Sequence, residues 1–122
     1  MKTKIAKYYV LGLFVLSSCS KIPLNNDPIL GIWTLEQESV GDKTNLFRRE
    51  WIFNDAYLGR YHYYVNDVIM IETDYRWTKE DTLYYIDYND IEVPNEYFHI
   101  TEEDGHQVII NIKNEVVGRR VL

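Results

Sequence analysis

The sequence predicts an all-β domain, a small antiparallel meander closed into a barrel of about eight strands, and three observations carry that expectation. From Ile29 to the end of the chain the longest apolar run is Val68 to Ile71, and no segment carries a convincing helical stripe. The segments between polar breaks are rich in Tyr, Trp, Ile, Val, Thr and Phe, side chains that fit a pleated, half-buried surface. Turn signals recur about every ten residues, which is the spacing of a sandwich or barrel. A meander of hairpins is the simplest topology, and closing it removes exposed sheet edges.

The elements follow in order. Gly31 to Ser39 alternates, with Trp33, Leu35 and Gln37 on one face and Ile32, Thr34 and Glu36 on the other. Arg49 to Asn54 sets Trp51 and Phe53 together, and Asn54 to Gly59 is a turn. Arg60 to Val65 puts Tyr61, Tyr63 and Val65 on one side. Asn66-Asp67 opens a connection over residues 66–74 that contains the Val-Ile-Met-Ile run. Tyr75 to Lys79 carries Tyr75 and Trp77 on one face, Lys79-Glu80-Asp81 turns the chain, and Thr82 to Asp87 returns as a hairpin partner. After a loop from Asn89 to Pro94, Glu96 to Thr101 places Phe98 and Ile100 together. Glu102 to Gly105 is a hairpin loop whose glycine supplies positive φ. Gln107 to Ile112 alternates Val108, Ile110 and Ile112, and Glu115 to Val121 is the eighth strand.

Composition limits the chemistry. A chain of 122 residues makes one domain, and its net charge of −6 argues against a nucleic-acid partner, since phosphates are held by Lys and Arg. The single cysteine, Cys19, excludes an internal disulfide and a cysteine zinc site. His62, His99 and His106 form no ligand-spaced pair and read as surface residues, so no metal is expected. Glu102-Glu103-Asp104 sits at a hairpin tip, a wet setting that does not separate carboxyl pKa values as a catalytic pair requires. There is no Gly-x-Ser-x-Gly and no glycine-rich phosphate loop, so neither an enzyme nor a cofactor is expected.

The first residues read as an address. Lys2, Lys4 and Lys7 precede the nine-residue apolar run from Tyr8 to Leu16, which is too short to span a bilayer as a helix. Leu16-Ser17-Ser18-Cys19 follows at once and resembles the lipobox of bacterial lipoproteins. The resemblance implies a signal peptide over 1–18, acylation of Cys19 and firm membrane attachment. Ser20 to Pro28 is a polar tether, and 29–122 is the domain. Losing the three lysines moves the charge from −6 to −9, so adhesion would come from lipid and not from a basic patch. Some surface-exposed lipoproteins of Bacteroidota carry an acidic run just after the cysteine. Ser20-Lys21-Ile22 lacks it, which places the expected anchor in the outer membrane facing the periplasm.

Leu30-Gly31-Ile32-Trp33 is similar to the G-x-W start of lipocalin-like barrels, and the order of later pieces resembles small lipocalin-like lipoproteins of Bacteroidota. Those pieces are Trp51-Ile52-Phe53 running to Gly59, Tyr75-Arg76-Trp77, Asp81-Thr82-Leu83, and an arginine near the end, Arg119 or Arg120. The chain is shorter than secreted lipocalins and lacks their later signatures. The resemblance implies that Trp33 plugs the closed end with one of these arginines across its ring, a contact worth about 0.5–2 kcal/mol. It also implies binding of a small apolar or amphiphilic molecule in a cup lined by Trp51, Tyr61, Tyr63, Tyr75, Trp77 and Tyr85. The alternative is a barrel filled by its own aromatic rings. That barrel would be an envelope interaction or structural module, with the Val-Ile-Met-Ile segment as its first candidate surface.

Overall fold

A computed structural model describes residues 25–39, 41 and 44–121. The strands are β1 (Gly31–Ser39), β2 (Asn45–Phe53), β3 (Leu58–Val65), β4 (Val68–Glu80), β5 (Leu83–Tyr88), β6 (Glu96–Glu103), β7 (His106–Ile110) and β8 (Val116–Arg120). Each pairs antiparallel with the next, and β8 pairs with β1 through Arg120↔Trp33 and Arg119↔Thr34, closing an eight-stranded meander barrel. Among the described residues there is no helix.

Local chemistry explains the tight turns. Asn66 and Asp67 have φ of 50° and 65°, and Asp104 and Gly105 have 52° and 77°. Two successive positive values make the two-residue turn whose twist matches that of the flanking strands. The Asn66-Asp67 turn corrects one expectation from sequence. Residues 68–74 are not a connection, because the turn needs only two residues and Val-Ile-Met-Ile opens the 13-residue β4. A second correction concerns β7. The strand stops at Ile110 and its register with β8 shifts between Ile109 and Ile110. Ile109 therefore joins the core, while Ile112 lies in the following turn, 70% exposed. β2 also starts at Asn45, four residues before the expected Arg49, and so carries Phe47 and Arg49 on the face of Trp51.

Alternation along an antiparallel meander gives the barrel two unlike ends. The base gathers the start of β1, the turns after β2, β4 and β6, and the N-terminal segment from Asn25 to Leu30. The mouth gathers the β1–β2 and β3–β4 hairpins, the 89–95 loop and the 111–115 turn. Strands β1 to β4 are eight to thirteen residues long, whereas β5, β7 and β8 have five or six. The first four strands consequently rise beyond the closed wall as a flange.

One close approach sets an aromatic ring directly on the backbone of the wall. Tyr75 lies across Gly59, its cross-strand partner, and a Cβ on that glycine would stand 2.1 Å from Tyr75 Cζ. The Tyr75 hydroxyl donates to the Ile52 carbonyl at 2.9 Å. A glycine covered by an aromatic ring permits a sharp local bend without leaving bare backbone.

Candidate functional site

The base is built around Trp33, whose indole is fully buried and donates from Nε1 to the Ile29 carbonyl at 2.8 Å. Arg120, its partner across the β1–β8 seam, sets its Cζ 4.3 Å from the ring centroid. The same guanidinium donates to the carbonyls of Leu30 (2.8 Å) and Pro28 and to Gln107 Oε1 (2.8 Å). Gly31 has φ of 117°, and a Cβ there would meet Arg120 Nη1 at 3.1 Å, so the glycine of G-x-W leaves room for the arginine. Arg119 faces outward and pairs with Glu103 at 2.9 Å. Between the two arginines named from sequence, Arg120 is the one on the indole.

Asp27 fastens the incoming chain to this end. Its carboxylate accepts from the Ile29 N–H (2.9 Å), the Tyr84 hydroxyl and Lys79 Nζ (3.0 Å). Burial raises its pKa, but the Tyr84, Ile29 and Lys79 donors together hold it below the ordinary carboxylate value. Burial, reinforced by Asp27, pushes the Tyr84 phenol up to about 12.

Above the base the interior is occupied by aromatic rings in continuous contact. The path runs Tyr84, Trp77, Phe53, Tyr75, Tyr88, Tyr61, Trp51, Phe98, with successive centroids 5.1–5.9 Å apart. Every ring on it is at most 5% exposed. Their polar tips are satisfied internally. Arg49 donates to Glu96 at 2.9 and 3.0 Å and to the Tyr61 hydroxyl at 2.8 Å. Tyr88 donates to Glu96 and accepts from Trp51 Nε1 at 2.8 Å. The Arg49 guanidinium also lies 4.5 Å from the Trp51 ring centroid. Burial opposes the charge on Arg49, but Glu96, Tyr61 and Tyr88 together outweigh it and the guanidinium holds its proton more firmly than usual. Burial raises the phenols of Tyr75 and Tyr88, with Glu96 adding to the second.

The residues expected to line a cup are thus placed in three ways. Trp51, Tyr61, Tyr75 and Trp77 are buried members of the ring path. Tyr63 is half-buried at the mouth, parallel to Phe47 with centroids 6.5 Å apart. Tyr85 is a correction: it alternates with the inward Tyr84 and Ile86 and so points outward, against Tyr97 and Asn95. Clefts of about 310–470 Å³ mark the surface among the described residues; Tyr75 borders one of them beside Gly59 and Asp74, and Trp51, Tyr61, Tyr63 and Trp77 border none of these.

Other candidates from sequence lie on the outside. His62 stands between Glu50 (2.8 Å) and Glu72 (3.3 Å), and His99 Nδ1 is 3.0 Å from the Thr82 carbonyl. Glu103 holds Arg119, and Glu102 and Asp104 are exposed at the hairpin tip. Among the described residues no group of three or more His, Cys, Asp or Glu is placed to hold a metal ion. Cys19 and the segment before it lie outside the described residues.

Sequence reasoning missed Arg49, Glu96 and Asp27. The first two had a signal: Phe47, Arg49, Trp51 and Phe53 share one face by alternation, as do Glu96, Phe98 and Ile100, so each charge falls on an inward position. Asp27 had none, because its partners Lys79 and Tyr84 are distant in sequence. Compared with protein-family models, with curated proteins and with solved structures, the chain matches none.

Proposed function

We propose that this chain is a lipid-anchored envelope protein of the lipocalin-like kind, whose barrel is a solid scaffold presenting a surface to another protein. The observation that carries the reading is the unbroken path of buried rings. A drug-sized ligand needs about 300 Å³ or more of enclosed space, and these side chains occupy the volume that would supply it. The scaffold needs no cofactor, metal, nucleic acid or catalytic group. Acylation of Cys19 would leave Ser20 to Leu24 as the link to Asn25, which bonds Asp55 at the base. Five extended residues span at most about 18 Å, so the base would face the outer membrane from the periplasmic side and the mouth would face away.

Two measurements test this. Labelled palmitate should mark the expressed protein and fail to mark Cys19→Ala; an unmarked wild-type protein removes the anchor. Native mass spectrometry of protein from its own host should show no bound small molecule; a recurrent stoichiometric ligand removes the solid-scaffold reading. That ligand would support a second reading, favoured by the half-buried Leu35, Phe47, Tyr63 and Ile71 at the mouth and by Arg49 below them. An amphiphile would set its tail against these side chains and its head toward the guanidinium.

A further inference from the structure

We propose that the free edge of β4 captures an extended polypeptide segment alternating basic and apolar residues, which adds as a strand beside it; this rests on the interaction reading above. β4 pairs with β3 along Val68–Arg76 but with β5 only from Tyr75 to Glu80. Above Tyr75, Asn89 donates to the Asp74 carbonyl, and among the described residues no strand covers the side of 68–73 that β5 would occupy. Six residues present about 20 Å of backbone edge. Proteins blunt such edges with Lys, Pro or a bulge; neither Lys nor Pro occurs between Val68 and Asp74, and the bulge at Met70, where the register with β3 shifts, leaves Ile71 to Asp74 regular. Val68, Ile69 and Met70 are instead 60%, 49% and 59% exposed there.

The two faces of β4 specify what fits. Inward positions along the edge are Ile71 and Thr73, beside the apolar mouth; outward positions are Glu72 and Asp74, with side chains 49% and 63% exposed. His62 and Arg60 meet these carboxylates from the β3 side. Asn89, which bonds Asp74, begins the loop after β5, and that loop carries Asp90 and Glu92. A second copy would bring the same carboxylates and the same net charge, −6 for the whole chain and −9 without residues 1–18, so charge disfavours self-pairing. A strand with Lys or Arg on its outer face and aliphatic residues toward Ile71 satisfies the backbone edge, the apolar side and the acidic side together.

The test is fluorescence anisotropy of a dye-labelled Val-Lys repeat of about eight residues against the full-length protein in mild detergent. Saturable binding that weakens with salt is expected. Peptides N-methylated on alternate amides, in either register, should not bind, because they cannot donate to the edge. Glu72→Lys with Asp74→Lys, both exposed and compatible with an unchanged far-ultraviolet spectrum, should lose at least about tenfold in affinity and should accept a Val-Glu repeat. The proposal is overturned by absent binding, by equal binding of the N-methylated peptides, by indifference to the charge reversal, or by cross-linking that finds a second copy along β4. Any of these leaves the solid-scaffold reading in place, since that reading falls only on a co-purifying ligand.

Discussion

The base and the mouth of this barrel are made from the same kinds of side chain and differ in what surrounds them. At the base, Trp33, Phe53, Trp77 and Tyr84 are at most 3% exposed, and the incoming chain is held over them by Asp27 and Arg120. At the mouth, Phe47, Tyr63 and Ile71 stand on a flange whose outer strands lack neighbours, and they are half-buried. Burial depends on having a second wall to pack against. The short β5, β7 and β8 withdraw that wall from the upper part of β1 to β4. The result is a rigid, closed end beside an open one that leaves backbone and apolar surface available.

The largest effect should come from Trp33→Ala, which removes a buried indole, its hydrogen bond and its arginine contact. It should cost about 3–5 kcal/mol, whereas Phe47→Ala should cost under about 2. Urea unfolding of both variants measures the contrast, and equal losses would break it.

Gly59→Ala comes next. The added Cβ must displace Tyr75, and overpacking of this kind costs about 1–3 kcal/mol. A transition unchanged from wild type would show that the wall tolerates a Cβ beneath the Tyr75 ring.

Glu96→Ala probes the boundary between the two ends. It leaves Arg49 and Tyr88 without their acceptor, at about 1–3 kcal/mol. Adding Arg49→Met should recover most of that loss, because the uncompensated charge goes with it.

The smallest effect concerns Asp27, and pH sharpens it. Its folded pKa lies below the unfolded value of about 3.9. Its contribution is therefore complete above that value and is lost as pH falls through the folded pKa. Asp27→Asn should cost about 1 kcal/mol near neutrality and should flatten the acid limb of the stability profile. Tyr84 acts with the opposite sign: raised to about 12, it contributes fully below about pH 10 and loses that contribution as pH rises through about 12. Thermal unfolding across pH reads both limbs.

How much of this was legible beforehand depends on the range of the interaction. The inward faces of β1 and β3 are written in short alternations, so Trp33 and Tyr61 could be assigned to the core from their neighbours alone, whereas β5 is apolar on both faces over Leu83-Tyr84-Tyr85-Ile86 and Tyr85 was set inward in place of Tyr84 and Ile86. Asn66-Asp67 was legible as a break but not as a complete turn, since the apolar run after it suits a connection as well as a strand. The inward Arg49 and Glu96 were readable only by trusting alternation over charge type. A lone buried ion is costly, and nothing local revealed that each would find the other 47 residues away.

The sequence by itself determined the strands, most of their faces and the basic-apolar-cysteine opening, because these depend on neighbours within a few residues. Only the tertiary structure decided that the aromatic rings meet and fill the interior, that Arg120 and not Arg119 lies on the indole, and that β4 outruns its partner. Those outcomes depend on where the strands begin and end relative to one another around the closed wall, and that relation exists only once all eight are in register.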